Sequence, residues 1–581
     1  MMLFFSAKAS RARRWLVLSV VAFSICAPVV PGGLPDSAAV LLPRESVAWA
    51  ASAADFDSGA QLSRAWEYME RQRVAQQLEE DRQRQKMIVK PEGQKPEQGA
   101  EQVTFRLTKI ETDPSEILAE AEISQITEPY VGKTVSLQDL YKIVEAINGL
   151  YEKKGYAVCR AYLPPQRIQG GAVQIKLLEG KTGKVTVDGL RFTRQRYVTN
   201  RIKLEPGKVA NTDKLNEQLQ RFNATNDVQL RILVHAGEKP GTTDYEIAAF
   251  EPKFNQTASL YVDNNGYETS GRWREGIFYT VRSLTGQRDA LRMNYLRSEG
   301  TNVVGLNYSL PVNNWGTMLD FDYGTNTTKI IKGNLKDIGV KGHSWAASLT
   351  LRHPLRVDQK RRDEIGLQYL HQHSETDFNT NSKNYIKWVD DTRNSIAPYI
   401  SFARYGQSSV FYHKHTLAFT GLDNLAGNGD NYLAYRLDAI YQKRYGGGQM
   451  LSGRFNAQIA SDRKNMSSSD MFYIGGNGSV RGYEESFLSG SRGFNASLSW
   501  MTPLDKKRIF NVFTFVDYGR VFGDERTVVD QTLVSTGVGL TVNYKNFYSN
   551  LTLGIPLKRS FKSQADKVDS TRIQFNCSFT F

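Results

Sequence analysis

Three cysteines, seven histidines and no apolar stretch long enough for a membrane-spanning helix set the first limits on this chain of 581 residues. One cysteine, Cys26, lies in an N-terminal apolar run. Cys159 and Cys577 are more than 400 residues apart, so there is no disulfide framework; one bridge between them is possible, and two free thiols are the expectation. A mean hydropathy of −0.45 excludes a bundle of membrane helices. Phosphate loops are missing as well. Gly132-Lys133-Thr134 and Gly180-Lys181-Thr182 have Thr127 and Ile175 where the first glycine of such a loop belongs. In GGNGSVRG, Arg481 takes the place of the third glycine of a dinucleotide fingerprint, and no nucleophile elbow occurs there. Acidic pairs are scattered without an acid–base pattern. His371 with His373, and His413 with His415, form same-face pairs on expected strands, but the sequence names no third ligand. The expectation is a non-enzyme with no cofactor and no metal.

What is present begins with a leader. Lys8, Arg11, Arg13 and Arg14 precede the apolar run WLVLSVVAFSICA, the two regions of a secretory signal. Ala48-Trp49-Ala50 places cleavage after Ala50, making 1–50 the signal. For an exported chain, the formal charge of +14 reads as solvated loops and a basic cavity near anionic lipid or substrate. Nucleic acid is not expected as a partner.

Residues 55–86 predict a helix started by Asp57 or Ser58. Its apolar stripe is thin: Leu62, Trp66, Met69, Val74 and Leu78. A helix this polar suits a solvated stalk or a water-filled hole, not a packed core. Residues 87–102, with KPEGQKPEQGAEQ, read as a linker. Two units follow, 103–181 and 182–252, each ordered strand, helices, strand, strand. Leu137, Leu140, Val144, Ile147 and Tyr151 share a helical face in the first; Leu215, Leu219 and Phe222 do so in the second. Short strands near AVQIKLLEG and DVQLRILVHAG offer sheet edges to an extended chain.

Residues 253–581 alternate nearly without break. Ile573, Phe575, Cys577, Phe579 and Phe581 face one way, with Arg572, Gln574, Asn576, Ser578 and Thr580 opposite. Val534, Thr536, Val538, Leu540, Val542 and Tyr544 repeat the pattern. A sandwich would hide its apolar face against a second sheet, and this segment is too long for one. A membrane barrel of about 16 antiparallel strands fits the length. In RIFNVFTFVDYGRVF, Val512, Thr514, Val516 and Tyr518 suit lipid, which turns Phe515, Asp517 and Gly519 into the lumen. A carboxylate there needs a cation, and Arg481, in the glycine-rich stretch GGNGSVRGYEES, offers a planar fork. On residues alone, a solvated loop and an unrelated carboxylate remain an alternative.

This order of elements resembles the two-partner secretion transporters, the haemolysin secretion/activation (ShlB/FhaC/HecB-like) class of outer-membrane pores. Val480-Arg481-Gly482-Tyr483 matches the VRGY sequence of that family, carried on a long extracellular loop that folds back into the barrel. Phe515-Val516-Asp517-Tyr518-Gly519 matches its F-x-D-x-G. Weaker matches are VDNNGYETSGRWR, 262–274, and SLTGQRDAL, 283–291. The resemblance implies that the two repeats are polypeptide-transport-associated (POTRA) domains in the periplasm and that the 55–86 helix plugs the barrel. It also implies that the chain secretes one large, unfolded partner protein without ATP, as a monomer in outer-membrane lipid. With both motifs present, an Arg481–Asp517 pair is the expectation. A barrel-assembly factor of the same superfamily is the alternative function; a passive porin needs no POTRA domains.

Overall fold

The computed structural model describes residues 56–85, 104–333, 335–379, 385–425, 429–461, 466–522, 531–561 and 568–581. The expected signal, its cleavage site and the 87–102 linker lie outside them. No helix among the described residues is long and apolar enough to cross a membrane.

Each small domain builds one amphipathic helix onto a three-stranded sheet. In the first, Ser136 caps the helix Leu137–Lys153: its hydroxyl accepts from the Asp139 amide, and the Asp139 carboxylate accepts from the Ser136 amide. Leu140, Ile143, Ile147 and Tyr151 are buried against Val173 and Ile175. These belong to the strand Ala172–Leu178, which pairs in parallel with Lys109–Thr112 and antiparallel with Arg160–Tyr162. AVQIKLLEG is therefore a central strand with both edges used, which corrects the expectation of a free edge there. In the second domain, Thr242–Phe250 is central, between Lys181–Asp188 and Gln229–Ala236. The helix Thr212–Thr225, capped by Asn211, buries Leu215 and Phe222 beneath it. Gln229–Ala236 is an edge strand, and it exposes Leu233 and Val234.

The expected barrel forms, with 16 antiparallel strands closed on themselves. The first strand, Gln256–Asp263, meets the last, Arg572–Thr580, over the short register Asp263↔Asn576 to Ser259↔Thr580. Closure leaves no free sheet edge, the condition for strands to cross a hydrocarbon layer. Side chains follow the period of two. Val516 is 56% exposed on the outer surface, whereas Phe515 and Asp517 are buried inside. Ile573, Phe579 and Phe581 point outward, while Arg572 and Gln574 are buried. The second small domain meets one end of the barrel, where the Arg194 amide donates to the Gly286 carbonyl at 2.9 Å. Between the strands Met450–Ala460 and Arg492–Pro503, at the opposite rim, residues 466–491 fold back inside.

Candidate functional site

The helix Ser58–Gln85 runs through the barrel from rim to rim. Its 28 residues span about 42 Å at ~1.5 Å per residue, more than the ~25 Å apolar band of such a barrel. At the rim away from the small domains, the Asp57 carboxylate accepts from the Gly59 amide at 2.7 Å and caps the helix. Ser374 and Ser468 also donate to that carboxylate. Asn326 and Ser344 each donate to the Ser58 carbonyl at 2.9 Å, and Gln372 donates to that of Gly59 at 3.1 Å. The thin apolar stripe finds partners on the wall: Leu62 meets Val303 and Ala346, and Leu78 meets Ala403, Tyr405 and Val410. The polar remainder bonds to polar wall groups. Tyr68 donates to the Tyr261 hydroxyl at 3.1 Å, and Lys414 reaches Glu70 at 3.4 Å.

The re-entrant loop carries the sequence-predicted residues. Arg481 Nε lies 2.8 Å from Asp517 Oδ2, and Nη2 lies 2.7 Å from Oδ1. The Arg481 amide donates to the same carboxylate at 3.0 Å, and Ser497 and Ser499 accept from Nη2 at 2.9 and 3.1 Å. Asp517 is fully buried. A two-pronged pair with added hydrogen bonds is the geometry that compensates two desolvated charges. The Phe515 ring lies 3.6 Å from the guanidinium carbon, a cation–π contact. Gly519 completes the motif: a Cβ there would stand 2.8 Å from Val480 Cγ2. Every lumen-facing residue of F-x-D-x-G therefore touches Val480 or Arg481.

Gly482 and Tyr483 fix the other side of the loop. Gly482 has φ +91°, and a Cβ on Gly554 would stand 2.5 Å from its Cα. The backbones can approach this closely only because both residues are glycine. The buried Tyr483 hydroxyl lies 2.9 Å from the Val534 carbonyl and 2.8 Å from that of Lys558. Loop and helix also meet, with Arg71 Nη1 donating to the Gly478 carbonyl at 3.0 Å.

A second anchor of this loop was missed by sequence reasoning. Asp470, in the one-turn helix Ser468–Asp470, is buried between wall arginines. It pairs with Arg436 Nη2 at 2.6 Å and with Arg393, and it accepts from Tyr432 at 2.7 Å. Its polarity is the reverse of the first anchor, with the acid on the loop and the cations on the wall. Near the barrel seam, Arg274 holds the buried Asp263 by two hydrogen bonds of 2.9 and 2.7 Å. Arg393, Arg436, Asp263 and Arg274 offered one signal, their inward parity along their strands; Asp470 lies in a loop and offered none.

The histidine pairs stand elsewhere. His413 Nδ1 lies 2.8 Å from His415 Nε2, and His415 Nδ1 lies 2.7 Å from the Tyr435 hydroxyl. His371 Nδ1 meets Asn394 at 2.8 Å. His373 sits with Glu375 and Asp390, the one group of three ligating side chains among the described residues. Lys387 Nζ lies 3.2 Å from Glu375 and 2.7 Å from Asp390. An ammonium thus already supplies the positive charge that this cluster calls for.

A family model described as haemolysin secretion/activation protein ShlB/FhaC/HecB matches residues 241–542, just over half of the chain. A second, described as POTRA domain, ShlB-type, matches residues 105–180. The chain is 26% identical over 506 residues to the heme/hemopexin transporter protein HuxB of Haemophilus influenzae, covering 80% of this chain and 85% of that one. It is 20% identical over 513 residues to the outer membrane transporter CdiB of Dickeya dadantii, covering 80% and 85%. Among solved structures, CdiB from Escherichia coli superposes with a TM-score of 0.65 at 17% identity, covering 89% of this chain and 98% of that one. CdiB from Acinetobacter baumannii gives 0.62 at 18%, covering 90% and 99%.

Proposed function

We propose how transport works here from the premise that the chain belongs to the haemolysin secretion/activation protein family ShlB/FhaC/HecB. It is an outer-membrane pore of two-partner secretion, with its POTRA domains in the periplasm, and it exports a partner protein. We infer four further points. The partner is one large polypeptide, bound unfolded or extended. POTRA strand Gln229–Ala236 takes it up by strand addition, since that strand leaves one edge unpaired and exposes Leu233 and Val234. The helix Ser58–Gln85 is a resting plug, and it leaves the lumen when the partner enters. A single copy suffices, because the pore is closed by one chain.

The observation that carries this reading is the clamp on the loop inside a helix-filled lumen. Arg481 and Asp517 hold a glycine-rich loop where it would not otherwise stay, beside the path the partner must take. The matched family is one of secretion, so the assembly-factor alternative is the weaker reading. The test is co-expression with a candidate partner and measurement of that partner in the medium. Wild type should release it. Leu233→Asp with Val234→Asp should cut release while the barrel still reaches the outer membrane; unchanged release would refute capture at this edge.

A further inference from the structure

At the periplasmic mouth, two wall arginines each hold the lumenal helix and the second POTRA domain at once. Arg362 is the second residue of the strand Arg361–Asn379. Its Nη2 and Nε lie 3.1 Å from the two carboxylate oxygens of Asp81, near the inner end of the lumenal helix. The same Nη2 donates to the Ala224 carbonyl of the POTRA domain. Arg282 ends the strand Arg274–Arg282. It stands 3.7 Å from Glu80 of the lumenal helix and 3.7 Å from Asp227 of the POTRA domain. Ala224 and Asp227 bracket the C-terminal end of the helix Thr212–Thr225. Two residues further on begins the edge strand Gln229–Ala236.

These contacts are desolvated enough to matter. The Arg362 and Asp81 side chains are 13% and 8% exposed. Tyr405 donates to Asp81 at 2.6 Å, and Arg288, in the turn after the strand Arg274–Arg282, donates to Asp227 at 2.8 Å, so each carboxylate is also tied to the barrel. A guanidinium presents its donors in a fixed plane and cannot follow two partners that move apart. The carbonyls at a helix C-terminus carry partial negative charge, which adds to the attraction at Ala224. If the POTRA helix end shifts, Arg362 and Arg282 lose either that partner or their line on Asp81 and Glu80. If the lumenal helix withdraws, the arginines lose two carboxylates and the POTRA helix end loses its brace.

We propose that Arg282 and Arg362 form a latch that couples exit of the lumenal helix to displacement of the POTRA helix Thr212–Thr225, so that a polypeptide loading on the adjoining edge strand loosens the plug. The latch rests on the plug and edge-capture reading given above. Both arginines are positioning residues: they touch neither the VRGY loop nor the outer end of the plug. The coupling is reciprocal, as any linkage between two states must be.

The test uses the full-length protein in planar bilayers without partner, together with a deletion of 58–85 and the variants Arg282→Gln, Arg362→Gln and both combined. The deletion should give a persistently open, high-conductance pore. The double variant should raise the open fraction of the wild type by roughly 5- to 150-fold, the usual range of such couplings. Arg362→Lys, with charge but no fork, should fall between and serves if the Gln variants assemble poorly. Hydrogen exchange adds a readout that a local anchor would not move: amides of 221–230 should exchange faster in the deletion than in wild type. A deletion that leaves conductance unchanged refutes the plug itself, and the latch with it. A deletion that opens while the double variant stays closed refutes the latch and leaves the plug. Unchanged exchange at 221–230 also overturns the latch.

Discussion

The indole of Trp66 occupies the space that a side chain on Gly324 would need: a Cβ there would stand 2.6 Å from Nε1. Gly324 faces Gly305 on the neighbouring strand, so the wall is hollowed where the largest side chain of the lumenal helix rests. Gly59 and Gly342 work the same way nearer the outer rim, with Ser374 and Ser58 filling the space of their missing Cβ atoms.

Gly324→Val should therefore loosen the plug without touching any charge. We expect longer open events in planar bilayers and greater entry of large antibiotics into cells, with normal barrel assembly. Conductance equal to wild type would mean that the Trp66 contact does not hold the helix in place.

Asp470→Asn should be more damaging than its small change in shape suggests. It leaves the buried Arg393 and the half-buried Arg436 without their shared carboxylate, and breaking a buried pair such as Arg393–Asp470 costs ~3–5 kcal/mol. Heat-modified migration on gels should show the barrel unfolding at lower temperature. A melting point within a degree of wild type would show that the anchor contributes nothing.

Tyr483→Phe removes one hydroxyl shared between two carbonyls. The expected loss is about 1 kcal/mol, the net worth of a neutral hydrogen bond. Partner release should fall less than with Arg481→Ala. An equal fall would give the hydroxyl a role beyond fixing the loop.

Cys159 is buried in the first POTRA core, and burial pushes its thiol up to about 12. In a Cys577→Ser background at pH 8, maleimide should label Cys159 only after the domain opens. The unfolded chain holds the thiol at its ordinary, lower value, so the buried neutral thiol contributes stability below the unfolded pKa. It is lost as pH climbs through about 9 towards 12. Fast labelling of the folded protein would contradict the burial.

The parity of the strand Phe510–Phe522 was legible because Val516 and Tyr518 suit lipid and so force Phe515, Asp517 and Gly519 inward; the period of two leaves no other choice. The barrel itself was legible for the same reason. The edge at AVQIKLLEG was misread, because strand order within a sheet is not a local property: Arg160–Tyr162 and Lys109–Thr112 cover both of its sides. Asp470 was invisible because nothing local marks its partners, Arg393 and Arg436, which lie on two other strands. Nothing local in the sequence marks Arg362, and only the packing of three chain segments reveals what it joins.

The central claim is that the Arg481–Asp517 pair keeps the re-entrant loop in its working position, and a double-mutant cycle on secretion tests it most directly. Arg481→Ala and Asp517→Ala should each cut partner release while the barrel assembles, and Arg481→Lys should restore little, because an ammonium cannot reproduce the two-pronged contact. The account predicts strong coupling, with Arg481→Asp plus Asp517→Arg releasing more partner than the product of the single effects allows. Strictly additive effects, or normal release from Arg481→Ala, would contradict it.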